Sequence, residues 1–292
     1  MSNNTKVPQL IKWIGNKHKF ADEIISYMPE YIDTYFEPFL GSGAILAQLA
    51  HSQINDLIPT TKFNRGIASD VLEPLVSIFE IVKKNPENLI KYYEEQINEF
   101  NLNREEKYLE IRDRFNQTRN PMDFLLLTRT CYSGIVRFRK KDGYMSTPIG
   151  PHKPIPPEEF SKRVNIWNQL LQNVQFFNSD YKNMMALATE GDLVYCDPPY
   201  THSQTIIYGA HSFNINELFD EIASCKKRGV KVMLSLNGAK KSGMEDVSIQ
   251  PPEGLFERII DVSCGISMIN RLQRSGERMV GEEVTDVLML TW

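Results

Sequence analysis

The chain has 292 residues, 41% apolar and 24% charged, with a formal charge of −4 at neutral pH, a globular composition outside the disordered and fibrous ranges. Its longest apolar runs, such as 124–127, fall far short of the roughly 18 residues a membrane span needs, and the polar start from Met1 to Lys6 carries no signal-peptide core, so a cytoplasmic location is expected. The four cysteines (131, 196, 225, 264) are too widely spaced for a metal knuckle or disulfide framework, and the five histidines (18, 51, 152, 202, 211) form no ligand pair on a helix face; reduced thiols and no metal are expected.

The spacing of Phe20, Ile24, Ile25 and Met28 predicts a short helix over 16–28, stopped by Pro29. Residues 34–39 read as a strand running into Gly41-Ser42-Gly43, from which a helix leaves over 44–50. After a surface excursion over 59–64, a strand at 66–69 delivers Asp70, and Val71, Leu75, Val76, Phe79 and Val82 follow at helical spacing. From about Asn85 to Arg163 this alternation breaks. A charged, helix-patterned stretch (86–117) is followed by a hairpin (136–147) turning at Asp142-Gly143, and prolines 148, 151, 154, 156 and 157 close the segment as a return linker. Buried-type strands resume at 174–178, 192–196 and 230–236 with helices between them, and 256–263 and 284–290 add two more without an intervening helix.

This pattern predicts an α/β fold with about seven strands, mostly parallel with an antiparallel edge. Residues 1–84 and 164–292 would form the sheet domain, and 85–163 an inserted, mainly helical domain containing the hairpin. Between Arg129 and Arg163, eight Lys/Arg stand against three acids, a local +5 in an acidic chain. Such a stretch is either an anion-binding face or a solvated loop.

The sharpest chemical signal is Asp197-Pro198-Pro199-Tyr200 at the end of the apolar strand Leu193-Val194-Tyr195-Cys196. Two prolines remove two backbone donors and fix a rigid turn, leaving the Asp197 carboxylate and the Pro198 carbonyl at the carboxyl end of a sheet, where α/β ligands bind. Two acceptors beside one aromatic match a planar ring bearing an exocyclic amino group. A strand-terminating turn with a packed tyrosine uses the same residues. The Gly-Ser-Gly turn lacks the third glycine of the dinucleotide fingerprint, which disfavours a nicotinamide-dependent dehydrogenase.

Together with Lys12-Trp13-Ile14-Gly15-Asn16-Lys17 and Glu37-Pro38-Phe39-Leu40-Gly41-Ser42-Gly43, this motif makes the chain resemble the Dam-like (alpha-group) DNA adenine-N6 methyltransferases, in the family's motif order and over essentially the whole chain. The resemblance implies a Rossmann-like methyltransferase sheet with an inserted target-recognition domain, S-adenosylmethionine as cofactor and double-stranded DNA as partner. It also implies an endonuclease acting at the same site where the enzyme serves a restriction–modification system, and a monomer that meets the nucleoid when bound to DNA. Carried over by position, Asp197, Pro198, Pro199 and Tyr200 are catalytic. Trp13, Lys17, Glu37, Pro38, Phe39, Gly41, Gly43, Asp70, Asp180 and Asp197 hold the cofactor, Asp70 through the ribose hydroxyls and Asp180 through the adenine amino group. Arg129, Tyr132, Ser133, Arg137, Arg139, Lys140, Lys141 and Pro148 read DNA, with arginines on phosphate and guanine and Tyr132 filling the gap a flipped base leaves. Arg139 and Ser133 stand where members specific for GATC carry asparagine, so a different recognition sequence is expected. Asn16 replaces a common glycine. Methylation of cytosine N4, of an RNA adenine or of a glutamine side chain, and a non-catalytic DNA-binding module on the same fold, are the alternatives.

Overall fold

The computed structural model describes residues 6–199, 213–237, 250–263 and 285–292. Among them, seven strands form one sheet: β1 (Tyr31–Glu37), β2 (Lys62–Asp70), β3 (Val174–Asn178), β4 (Leu193–Cys196), β5 (Lys231–Asn237), β6 (Arg258–Ser263) and β7 (Thr285–Leu290). Their order is β3-β2-β1-β4-β5-β7-β6. The first five pair in parallel, and β7 runs antiparallel to both β5 and β6. The α/β sheet with an antiparallel edge is thus as the sequence pattern predicts. The order reverses at β1 and β4, so the crevice beyond their carboxyl ends is the switch point at which such sheets bind ligands.

Strand β4 shows why the sheet reads as unbroken apolar runs. Leu193 and Tyr195 belong to the larger of two hydrophobic clusters and Val194 and Cys196 to the smaller, because successive side chains point to opposite faces and both faces are covered. Helices α1 (Ala21–Ile25), α2 (Ala44–Asn55), α3 (Glu73–Lys84) and α7 (Pro157–Leu170) contribute to the larger cluster, while α8 (Tyr181–Ala186) and α9 (Ile215–Lys227) contribute to the smaller. The larger cluster does not stop at residue 84. It continues through Leu89, Tyr93, Ile97 and Phe100 of α4 (Pro86–Leu102), Tyr108, Ile111 and Phe115 of α5 (Arg104–Thr118), and Phe124 to Leu127 of α6 (Pro121–Thr130).

Several boundaries differ from the sequence reading. The helix expected over 16–28 shrinks to α1, because Gly15 sits at φ 73° and the chain leaves Lys17 in a turn closed by Phe20 N–H on the Lys17 carbonyl. β1 starts three residues earlier, and β2 starts at Lys62, pairing residue 62 with Tyr31 and Arg65 with Thr34; its first residues are mostly exposed and polar, so they resemble loop. The surface excursion is therefore 56–61. The hairpin is reduced to one antiparallel bridge, Phe138 to Met145. Backbone bonds from Arg139 N–H to Tyr144 and from Ser146 N–H to Arg137 flank it, and side chains reinforce it: Asn116 of α5 bonds both the N–H and the carbonyl of Met145, and Arg119, just past α5, donates to the Gly143 carbonyl. The proline-rich return is pinned by Arg104, which donates to the carbonyls of Gly150 and His152, and by Tyr93, which donates to that of Ile155.

Candidate active site

A cavity of about 900 Å³ opens at the switch point, within the range of sites that enclose a cofactor-sized ligand. Its first wall is the turn after β1. Gly41 sits at φ +48°, and a Cβ there would come within 3.2 Å of Trp13 Nε1, so only glycine lets the backbone and the indole share this corner. Asp70, the last residue of β2, fixes the turn by accepting from Gly41 N–H (3.1 Å) and Leu72 N–H (3.0 Å). Pro38 and Phe39 also line the cavity, and Phe39 stacks on Tyr181 (5.1 Å) with its edge toward Phe213 (5.8 Å). Asp180 lies on the same wall, exposed, capping α8 through Lys182 N–H (2.9 Å).

Gly43 departs from its expected role. It does not line the cavity. At φ +64° it starts α2 facing Phe79, Leu40 and Trp167, which a Cβ would meet at 3.3–3.4 Å, so it serves packing rather than ligand approach. Glu37 ends β1 with 3% exposure. One carboxylate oxygen accepts from the Tyr35 hydroxyl (2.8 Å) and Leu46 N–H (3.0 Å), but burial dominates, and with the nearby Asp197 charge it lifts the Glu37 pKa to about 8.

Opposite this wall, Asp197, Pro198 and Pro199 follow β4 and border the cavity; Tyr200 lies outside the described residues. Asp197 does not stand alone. Lys17, 5% exposed, places Nζ 2.7 Å from Asp197 Oδ1, 3.6 Å from Asp286 Oδ2 and 3.4 Å from the Gly15 carbonyl. Sequence reasoning puts Lys17 beside the cofactor; the fold carries it across 180 positions onto the carboxylate of the Asp-Pro-Pro turn. Burial raises the Asp197 pKa, Lys17 pulls it back down, and the Asp286 charge raises it. Asp286 was missed entirely, since a lone aspartate in the apolar strand predicted over 284–290 carries no motif.

The insertion supplies the outer lip. Tyr132, Ser133, Arg137, Arg139, Lys140, Lys141 and Pro148 are all exposed along one ribbon, and Arg139 and Lys140 border the cavity. Ser133 adopts φ 57°, beside Gly134 at φ 67°, a strained corner that holds Tyr132 outward with 43% exposure. Arg139 forks onto Asp142 (3.1 and 2.8 Å) and stacks over Tyr144 (4.3 Å). Arg129 corrects the sequence reading. It is 3% exposed and donates to the carbonyls of Leu10 (2.6 Å) and Gln9 (3.3 Å), so it clamps the N-terminal segment and cannot reach DNA from this position. A residue the sequence reading passed over, Arg119, borders the cavity instead. Its guanidinium lies over Phe115 (5.3 Å) and Phe138 (5.7 Å) and makes no ion pair among the described residues. It also carries φ 57° at the end of α5, and the only sequence hint is its place before Asn120-Pro121.

A glycine turn after β1 and an acid-proline-proline turn after β4, meeting at the switch point of this sheet, define a methyltransferase of the Rossmann-like class. Residues 13–255 match the family model of the D12 class N6 adenine-specific DNA methyltransferases, and the chain belongs to that family. It is 31% identical to the Type II methyltransferase M.MjaIII of Methanocaldococcus jannaschii, over 79% of this chain and 84% of that protein. It is 28% identical to a DNA adenine methylase of Vibrio cholerae (77% and 79%) and 30% identical to that of Escherichia coli K12 (65% and 64%). The chain is therefore an adenine-specific DNA methyltransferase, an enzyme that takes DNA as substrate and requires a methyl donor.

Proposed function

We propose that the enzyme transfers a methyl group from S-adenosylmethionine to N6 of an adenine flipped out of double-stranded DNA. The observation that carries this reading is the polarity of the cavity: Asp70, Asp180 and Asp197 lie at its sheet end, where Lys17 is paired with Asp197 and Lys182 with Glu217, and Arg119, Arg139 and Lys140 lie at its lip. Carboxylates suit a cationic, hydroxyl-bearing cofactor, and cations suit phosphate. The residues fit the cofactor, since the corner between Gly41 and Trp13 is a cradle that a Cβ would fill. S-adenosylmethionine, when bound, supplies a methyl group on a sulfonium as the electrophile. Trp13, Pro38, Phe39 and Gly41 would form its walls, Asp70 would take the ribose hydroxyls and Asp180 the adenine amino group, with Lys17 at the boundary to the target base.

The target amino nitrogen is a weak nucleophile because its lone pair is delocalised into the ring. Asp197 and the Pro198 carbonyl accept from its two hydrogens, favouring a tetrahedral nitrogen whose lone pair is free for the methyl, and Tyr200 stacks on the base. Holding these acceptors in a dry, preorganised site provides most of the acceleration. The buried Cys196, its thiol pKa pushed well up by burial, takes no part.

We read 85–163 as the target-recognition domain, inserted in a catalytic domain of 1–84 and 164–292. Tyr132, Ser133, Arg137, Arg139, Lys140, Lys141 and Pro148 would form its DNA-facing ribbon, without Arg129. The Type II name of the archaeal relative supports a role as the modification enzyme of a restriction–modification system with an endonuclease of the same specificity. A monomer acting in the cytoplasm completes this reading; among the described residues no helix is long and apolar enough to cross a membrane.

The test is to incubate the protein with tritiated S-adenosylmethionine and unmethylated genomic DNA, digest to nucleosides and locate the label. N6-methyladenine is expected, lost in Asp197→Ala while that variant stays folded. Label on N4-methylcytosine, no label on DNA despite cofactor binding, or an active alanine variant would each overturn the corresponding part of the proposal.

A further inference from the structure

The cations at the lip of the cavity are not alike. Arg139 donates side-on through Nε–H and Nη2–H to the two oxygens of Asp142 (3.1 and 2.8 Å), whereas Arg119 and Lys140 border the same cavity with no ion pair among the described residues. Asp142 is itself fixed, since its Oδ1 also accepts from Tyr144 N–H (3.1 Å). The Arg139 guanidinium lies over the Tyr144 ring, 4.3 Å from its centroid, and the Tyr144 hydroxyl donates to Asp113 (2.7 Å). Arg139 and Asp142 are about half exposed, at 51% and 45%, and an ion pair so exposed contributes little to stability. What the fork does is local: it cancels the charge of the guanidinium and fixes its plane.

Both effects select a ligand. A guanidinium has five N–H donors, and Asp142 takes the side-on pair, which leaves the two parallel donors of the end-on edge, one on each Nη. A neutralised arginine suits a phosphate poorly, because it displaces no counterion and sets a carboxylate beside the anion. Guanine presents two neutral acceptors side by side in the major groove, O6 and N7, whereas adenine pairs its N7 with a donor that arginine cannot meet. We propose that Arg139 is a specificity-determining residue that reads a guanine of the recognition sequence through its end-on edge, with Asp142 and Tyr144 as the positioning residues that hold its plane, while the unpaired cations beside it take phosphate. This role rests on the reading above that 85–163 faces DNA.

The recognition sequence is first obtained by sequencing the N6-methyladenines that full-length wild type leaves in genomic DNA. Single-turnover methylation is then measured on duplexes carrying that site, with each guanine of either strand replaced in turn by adenine or by 7-deazaguanine, which lacks the N7 acceptor, for wild type, Arg139→Ala and Asp142→Asn. At one guanine, wild type is expected to lose about 5- to 150-fold on replacement by adenine, the discrimination of one bidentate pair, and to lose rate with 7-deazaguanine as well. In Arg139→Ala, both losses at that guanine shrink to within about threefold, the other positions keep theirs, and the slope of log affinity against log salt stays as in wild type. Asp142→Asn keeps an oxygen for Tyr144 N–H but releases the charge of Arg139. It is expected to steepen the salt slope by about 0.9 while discrimination at the same guanine falls, opposite movements that a merely structural pair would not produce.

A recognition sequence without guanine, an Arg139→Ala variant that keeps its discrimination at every guanine or slows alike on all duplexes, or a salt slope lowered by about 0.9 in that variant, the mark of a phosphate contact, would each overturn the proposal. Asp142→Asn with slope and discrimination unchanged overturns the part given to Asp142. If Arg139→Ala melts below the assay temperature, Arg139→Lys decides: it keeps the charge without the fork, so lost discrimination at one guanine supports the role and retained discrimination overturns it. A wild type that methylates adenine at a defined site while the variants discriminate as it does removes the role of Arg139 alone. A wild type that labels no adenine removes the underlying reading and this inference together.

Discussion

Glu37 is a carboxyl group placed where it is neutral at physiological pH, and that can be tested through stability. Its pKa lies at about 8 against an ordinary value of 4.5, chiefly because it is buried. The folded state therefore binds this proton more tightly than the unfolded chain does. The contribution to stability is complete below pH 4.5 and is lost as pH rises toward 8. Each pH unit in that window costs about 1.4 kcal/mol, so by pH 7 the wild type has given up roughly 3 kcal/mol. Glu37→Gln has no charge to form, and its amide oxygen still accepts from Tyr35 and Leu46. Its melting temperature should nearly coincide with that of wild type at pH 5 and exceed it by about 6 °C or more at pH 8, read by thermal denaturation across that range. Glu37 borders the cavity, and a cofactor cation held beside it would favour the carboxylate, so S-adenosylmethionine binding should release up to about one proton at pH 7, measured by calorimetry in buffers of different ionisation enthalpy. The variant should expel none. A melting difference that does not change with pH, or binding without proton release, would refute the assignment of a neutral Glu37.

Gly41→Ala adds a Cβ 3.2 Å from the Trp13 indole at a positive φ, and should weaken S-adenosylmethionine binding about tenfold or more with the fold retained, as fluorescence titration and melting curves would establish. Arg119→Gln should lower the slope of log affinity against log salt for duplex DNA by about 0.9, the signature of one lost phosphate contact; weaker binding with an unchanged slope would leave Arg119 as a hairpin anchor only. Arg129→Met should destabilise the protein by about 3 kcal/mol in urea, since two buried carbonyls lose their donor, yet leave the salt slope unchanged.

The parts of this molecule that announce themselves in sequence are those where local chemistry and tertiary demand coincide. Strands β4 and β5 are buried on both faces and read as short apolar runs, and Asp197-Pro198-Pro199 needs nothing beyond its own backbone to form a rigid turn. The amphipathic helices α4 and α5 show their buried positions at helical spacing. Helix α6 has no helical periodicity to read because it is buried on every side, its polar Asp123, Thr128, Arg129 and Thr130 included; the Asn120-Pro121 start, with Asn120 capping Met122 N–H, is the available signal. The two charged residues misjudged or missed at the site share a different cause. Arg129 sits in an arginine-rich stretch, and no local pattern separates a guanidinium bonded to carbonyls some 120 positions away from one facing solvent. Asp286 acquires meaning only when β7 inserts beside β5, a pairing that sequence order conceals.

Long-range packing joins the Gly41 wall of the cavity to its hairpin lip. Trp13 sets its edge against Phe124 (6.3 Å); Phe124 stacks on Phe115 (5.0 Å) and lies 6.3 Å from Phe138; and Arg119 rests on both Phe115 and Phe138. This chain of rings runs from the N-terminal motif through α6 and α5 to the bridge of the hairpin, inside the same hydrophobic cluster that backs the sheet. Close-packed rings transmit displacement because they have no free volume in which to absorb it. A shift of the hairpin would therefore be felt at the indole against which Gly41 is built. The core of 85–163 is thus continuous with the packing behind the glycine turn, and Asn116 of α5 ties the hairpin into it.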